Sequence, residues 1–185
     1  LEGAGRGWVT AEYAMLPRAT QTRTSREGRT GRPPGRTMEI QRLIGRSLRA
    51  VCDLDAFDNH RVTVDCDVIQ ADGGTRAASL TGGYVALRDA LAAAPWSGGR
   101  LPLLDCVVGL SAGVVGNRNL LDLCYLEDSE AAVDMTFAFT GEGLLVEVQG
   151  TGEGRPFAAA EMTALLEMTR PAAATLSAMV KQLFD

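Results

Sequence analysis

Residues 61–94 force a strand, a tight corner and a helix in immediate succession. In Arg61-Val62-Thr63-Val64-Asp65-Cys66-Asp67-Val68-Ile69, apolar side chains recur at every second position from Val62 to Val68. That is the period of a half-buried strand. Residues 77–94 are rich in Ala and Leu and free of proline, which predicts a helix. Between the two lies Gln70-Ala71-Asp72-Gly73-Gly74-Thr75-Arg76, where the Gly-Gly pair turns the chain and leaves Thr75 and Arg76 at the start of the helix. A helix start offers unpaired backbone N–H groups and the positive end of the macrodipole, so it suits an anion. Arg76 adds a planar fork of donors shaped for phosphate. A plain strand-turn-helix corner with Thr75 as its N-cap accounts for the same residues, and both readings stand at this point.

A second arginine sits in a similar place. Thr37 reads as the N-cap of a helix with Glu39 in its first turn, and Ile40, Leu43, Ile44, Leu48 and Val51 follow the spacing of one buried stripe. Arg36 stands immediately before that helix, so a divided anion site on Arg36 and Arg76 is expected. Upstream, Gly7-Trp8-Val9-Thr10-Ala11-Glu12-Tyr13 reads as a strand, with Val9, Ala11 and Tyr13 on one face. Residues 14–36 form an Arg-rich loop without apolar periodicity from Ala19 onward. Arg18, Arg23 and Arg26 are spaced there among Thr and Ser, the mixture of charge and short hydroxyl donors that a phosphodiester backbone takes. A solvated loop explains the same composition.

The chain has 185 residues, 46% of them hydrophobic, enough for a buried core and most simply read as one domain spanning 1–185. No apolar run is long enough to cross a membrane and no signal peptide is visible. The four cysteines, Cys52, Cys66, Cys106 and Cys124, form no CxxC pair; Cys66, Cys106 and Cys124 lie in apolar or alternating stretches. That predicts reduced thiols, no zinc site and a cytoplasmic protein. The net charge of −5 conceals an asymmetry. Residues 1–50 hold ten Arg against four Glu, and residues 51–185 hold eight basic against nineteen acidic side chains. A basic part for a polyanion beside an acidic part for a cation is the expectation.

The remaining elements alternate in type. Residues 103–115 read as a buried strand, 116–119 as a turn and 120–125 as its hairpin partner. Residues 135–140 and 144–149 form a second hairpin, and 157–184 a closing helix with a break near Pro171. Ala160, Met162, Leu165, Leu166, Met168 and Thr169 are spaced for its buried face. The order predicts an α+β fold, a two-layer mixed sheet with packed helices.

Between the hairpins, Glu127-Asp128-Ser129-Glu130-Ala131-Ala132-Val133-Asp134 carries four carboxylates in eight residues. Such a loop at strand ends either binds a hard cation through oxygen or is a solvated acidic loop; for Mg²⁺, Asp128 and Asp134 suffice. His60, the only histidine, lies in a polar turn, so no Ser-His-Asp or Cys-His arrangement can be assembled. Gly150-Thr151-Gly152-Glu153-Gly154 lacks the spacing and the lysine of a P-loop and reads as a loop.

Several stretches together carry a resemblance. They are residues 7–13, Met15-Leu16-Pro17-Arg18-Ala19-Thr20, residues 35–46, residues 65–76, Glu127-Asp128-Ser129 and residues 146–154. In this order, over essentially the whole chain, they resemble the ribonuclease PH family of phosphorolytic 3′-to-5′ exoribonucleases, relatives of polynucleotide phosphorylase and exosome core subunits. The resemblance implies trimming of tRNA precursors with inorganic phosphate as co-substrate, Mg²⁺ as cofactor, nucleoside diphosphates as products and a ring-shaped hexamer, a trimer of dimers. It places phosphate on Arg36, Gly74, Thr75 and Arg76, RNA backbone on Arg18, Arg23 and Arg26, and metal or acid function on Asp128 and Asp134. Two departures accompany it. Gln21 stands where the family commonly has His, and the family's upstream strands are not in this sequence, which implies an N-terminally incomplete domain with an exposed sheet edge. The rival expectations are a non-catalytic RNA-binding subunit of a phosphorolytic ring, or an inactive fragment.

Overall fold

The computed structural model describes residues 5–25, 31, 34–57, 59–96 and 98–184. Strand β1 (Trp8–Met15) is followed by helix α1 (Gly35–Ala50), and strand β2 (Arg61–Val68) by helix α2 (Thr75–Ala92). β1 and β2 pair in parallel, Val9 opposite Val62 and Tyr13 opposite Cys66, with α1 as the crossover that parallel strands require. The expected alternation holds on β1, where Val9, Ala11 and Tyr13 are buried. Helix α1 packs on β1 and helix α2 on β2.

The second half is antiparallel. Strands β3 (Val107–Val115), β4 (Arg118–Leu121), β5 (Ala131–Thr140) and β6 (Leu145–Thr151) form a sheet in the order β4-β3-β5-β6. A short helix α3 (Tyr125–Glu130) precedes β5, and α4 (Ala159–Gln182) closes the chain. β3 is buried along nearly its whole length because α2 covers one face and α4 the other. A strand covered on both faces reads as continuous apolar sequence, which is why this segment does not alternate. The expected pairing of one sheet with one helical layer therefore occurs twice, β1–β2 with α1 and α2, and the four-stranded sheet with α4. The helices of the first unit pack also on the sheet of the second.

Four local expectations are corrected. α1 starts at Gly35 with Pro34 at its N-cap, and Thr37 is buried inside the first turn. The Met38 N–H donates to the Pro34 carbonyl at 3.1 Å, and the fixed φ of proline favours that start. Arg36 accordingly stands in the helix, not before it. The first hairpin returns at Arg118–Leu121 and leaves the sheet at Asp122, whose φ is 57°, short of the expected strand over 120–125. α4 runs unbroken through Pro171, whose ring is on the exposed side. Leu165, Thr169, Ala173, Ser177 and Val180 form its buried stripe, and packing on β3, β4 and β5 outweighs the roughly 3 kcal/mol that an internal proline costs. Ala160 is exposed and lies outside that stripe.

All four cysteines are free: Cys52 and Cys106 are buried, and Cys66 and Cys124 partly so. Burial pushes the Cys52 thiol up to about 12 and the Cys66 thiol up to about 11, so both stay protonated and inert. His60 is structural: its Nδ1 is 2.9 Å from the Phe57 carbonyl oxygen, and its ring meets Trp96 edge-on.

Candidate active site

The Gly corner is built as the sequence predicts, with one change in its cap. Gly73 and Gly74 have φ of 76° and 56°, the left-handed region that glycine enters without strain. A Cβ on Gly73 would collide with the carbonyl oxygen of Leu123, so this position has no room for a side chain. Gly74 is the N-cap of α2, and Thr75 is its first residue. The Thr75 hydroxyl is not capping; it accepts a hydrogen bond from Tyr13 Oη at 2.9 Å. The corner is also tied to its neighbours. Ala71 N–H donates to the Ala19 carbonyl at 2.7 Å, and the Asp72 carboxylate accepts the Tyr125 N–H at 3.0 Å. The Arg-rich loop, the Gly corner and the acidic helix α3 are thus joined at one end of the molecule.

The acidic segment is the largest departure from expectation. Instead of a loop, residues 125–130 are helix α3, and β5 begins at Ala131, four residues before the predicted strand start. Asp134 is therefore fixed within a strand, opposite Gly113 on one side and Thr151 on the other. The neighbouring cross-strand pair is Thr136 with Gln149. These two pairs form the floor of a pocket of about 280 Å³, whose other lining residues include Arg36, Arg76, Asp128 and Glu153.

Arg36, Arg76, Asp128 and Asp134 thus share one pocket, although they come from α1, α2, α3 and β5. Arg76 Nη1 lies 3.8 Å from Asp134 Oδ2, and Arg76 Nη2 lies 3.2 Å from Glu39 Oε2. Burial raises the Asp134 carboxyl above the usual range; the Asp128 carboxylate and Glu153 push it the same way, while Arg76 and Arg36 oppose them. Two arginines and three carboxylates leave the pocket walls with a formal charge of −1. A dianionic phosphate alone would add repulsion, whereas a divalent cation entering with it would offset the added charge. Among the described residues, no group of three or more His, Cys, Asp or Glu forms a cage for a metal. Asp128 and Asp134 both line the pocket, and Mg²⁺ takes one or two carboxylates and completes its shell with water and substrate phosphate.

Gly74 and Thr75 stand next to Arg76 but do not line the pocket. Arg18 and Arg23 are exposed on the loop after β1, outside the pocket; Arg18 donates to the Gln21 carbonyl at 3.3 Å. Arg26 lies outside the described residues. Sequence reasoning missed Thr136, Gln149, Thr151 and Glu153. The available signal was Glu147, Gln149, Thr151 and Glu153 at every second position, a polar strand face continuing into the Gly150–Gly154 segment that reads as a loop.

Residues 2–92 match the 3′ exoribonuclease family, domain 1, and residues 105–171 match its domain 2. The chain is 55% identical over 98% of its length, and 77% of the relative's, to a protein of Methylocella silvestris named ribonuclease PH. Similar relatives of the same name occur in Methylorubrum populi, at 55% identity over 95% of this chain and 75% of the relative, and in Moorella thermoacetica, at 51% over 98% and 74%. Among solved structures, rice (Oryza sativa) Rrp46 superposes with a TM-score of 0.76 at 16% identity, covering 98% of this chain and 74% of the rice chain. An archaeal exosome core chain gives 0.72 at 20%, covering 96% and 70%. No helix among the described residues is long and apolar enough to cross a membrane.

Proposed function

Because the chain belongs to the ribonuclease PH branch of the 3′ exoribonuclease family, we propose that its four-element pocket carries out phosphorolysis of RNA 3′ ends. The chain is a phosphate-dependent 3′-to-5′ exoribonuclease that trims tRNA precursors. The observation that carries the site assignment is the meeting of Arg36 and Arg76 with Asp128 and Asp134.

Inorganic phosphate is held by Arg36 and Arg76, and by backbone N–H groups at the start of α2, where Gly74 and Thr75 shape the approach. An oxygen of that phosphate attacks the phosphorus of the terminal phosphodiester. A P–O–P linkage forms, the bond to the 3′ oxygen of the penultimate nucleotide breaks, and a nucleoside diphosphate leaves. The proton that monohydrogen phosphate brings in ends on the new 3′ hydroxyl of the shortened RNA, so the step balances without a further acid. No protein nucleophile is needed; the side chains position the reactants and neutralise charge. Asp128 and Asp134 would hold Mg²⁺, which would supply stabilisation of the charge that develops on the phosphoryl oxygens. Arg18, Arg23 and Arg26 bind the RNA backbone as it approaches.

The pocket draws Arg36 and Arg76 from the domain 1 match and Asp128 and Asp134 from the domain 2 match, so the 185 residues work as one unit. The chains assemble as a hexameric ring, a trimer of dimers, in the cytoplasm, where processing extends to rRNA. A single experiment tests the chemistry: a tRNA precursor or polyadenylate is incubated with and without inorganic phosphate. Trimming only with phosphate, with nucleoside diphosphate products, is expected. Equal degradation in both, with monophosphate products, would assign a hydrolase instead.

A further inference from the structure

Glu39 lies one helical turn beyond Arg36 on α1 and reaches across to Arg76 on α2, its Oε2 accepting from Nη2 at 3.2 Å. Both side chains are mostly shielded from solvent, 33% exposed for Glu39 and 22% for Arg76. The pair contains two buried atoms with no hydrogen-bond partner, Glu39 Oε1 and Arg76 Nε. Buried polar atoms seldom remain unmatched unless a ligand or a rearrangement completes them. Asp134, the other carboxylate near Arg76, is 3.8 Å from Nη1 and beyond hydrogen-bond reach.

We propose that Glu39 is a positioning residue for phosphate, the strut that fixes the Arg76 guanidinium relative to Arg36. Glu39 lies outside the pocket lining and touches neither phosphate nor RNA; it acts through Arg76. An arginine side chain loses rotamer freedom when it is immobilised by a ligand, and a fork held in place before binding loses less of it. Asp134 does not do this, because it stands 3.8 Å from Nη1 and makes no hydrogen bond to the guanidinium. Glu39 is tied to the same α1 backbone that carries Arg36, three residues earlier. One side chain thereby couples the spacing of the two arginines. The inference rests on the phosphorolytic reading of the pocket.

The test compares Glu39→Ala, Glu39→Asp and Glu39→Gln in the full chain, with KM for inorganic phosphate, KM for RNA and kcat measured separately. Glu39→Ala is expected to raise KM for phosphate about tenfold or more while KM for RNA stays unchanged. Glu39→Asp keeps the charge but is one methylene short of Arg76, so it is expected to resemble Glu39→Ala. Glu39→Gln keeps an acceptor at the right reach and is expected to recover most of the loss. An unchanged or lowered phosphate KM in Glu39→Ala, or recovery by Asp and not by Gln, would overturn positioning in favour of charge balance alone. If Glu39→Ala does not fold, the Asp and Gln variants decide the question by the same order. Protection of each chain from thermal unfolding by inorganic phosphate gives a reading independent of RNA turnover, with the rank wild type, Gln, then Asp and Ala. Wild-type protein that degrades RNA without phosphate would refute the phosphorolytic reading, and the protection series would still rule on Glu39.

Discussion

Arg76 and Asp134 face each other at 3.8 Å across the junction between the two halves of the chain, one at the start of α2 and the other inside β5. The contact is too long for a hydrogen bond and close enough for each charge to set the environment of the other. It lies where the start of α2 meets the four-stranded sheet of the second half.

Replacing Arg76 with Ala is expected to lower kcat/KM for phosphorolysis by about 10²–10³, the usual cost of losing a preorganised charge donor. Filter-binding of RNA should remain close to wild type, because Arg18 and Arg23 lie outside the pocket. Loss of RNA retention with intact phosphate protection would reassign Arg76 to the RNA backbone.

Asp134→Asn separates function from stability. A carboxyl whose folded-state pKa is raised binds its proton more tightly in the native chain, so its ionisation opposes folding as pH rises through that range. In chelator-treated buffer at neutral pH, the Asn variant is therefore expected to melt at a higher temperature than wild type while losing phosphorolysis. The difference in Tm should shrink as pH falls towards the ordinary carboxylate value of 3.8. A neutral-pH Tm below that of wild type would show that the Arg76 contact contributes more than burial and the Asp128 charge remove.

Removal of divalent metal should stop trimming without unfolding the chain, since the core does not depend on a metal cage among the described residues. Mg²⁺ readdition should restore activity in wild type and fail in Asp128→Ala. Full activity in the presence of chelator would remove Mg²⁺ from the reaction.

The two corner glycines should respond unequally to alanine. At Gly74, φ of 56° is the main cost, about 1–2 kcal/mol, because the nearest atom to an added Cβ is Ser111 Oγ at 3.4 Å. At Gly73 a comparable conformational cost is joined by collision with the Leu123 carbonyl. Denaturant titration should rank Gly73→Ala well below Gly74→Ala, and equal losses would show that the 122–125 segment can yield.

Local signals in the sequence were enough for the alternating strands β1 and β2, the helices α1, α2 and α4 and the Gly corner, because each rests on periodicity or on a φ that only glycine reaches freely. Arg36 and Arg76 could be named for the same reason, as arginines near helix starts. The acidic segment was misjudged as a loop: its carboxylates looked solvated, and only pairing with β3 and β6 draws Asp134 into a strand. The unbroken course of α4 past Pro171 and the engagement of Thr75 by Tyr13 were equally invisible, since each is decided by a partner distant in the chain. The sequence by itself determined which residues bear charge and which segments turn. Tertiary structure alone decided that α1, α2, α3 and β5 deliver those charges to one pocket, and that Glu39 reaches Arg76, because pair distances between elements depend on how the layers stack and not on local pattern.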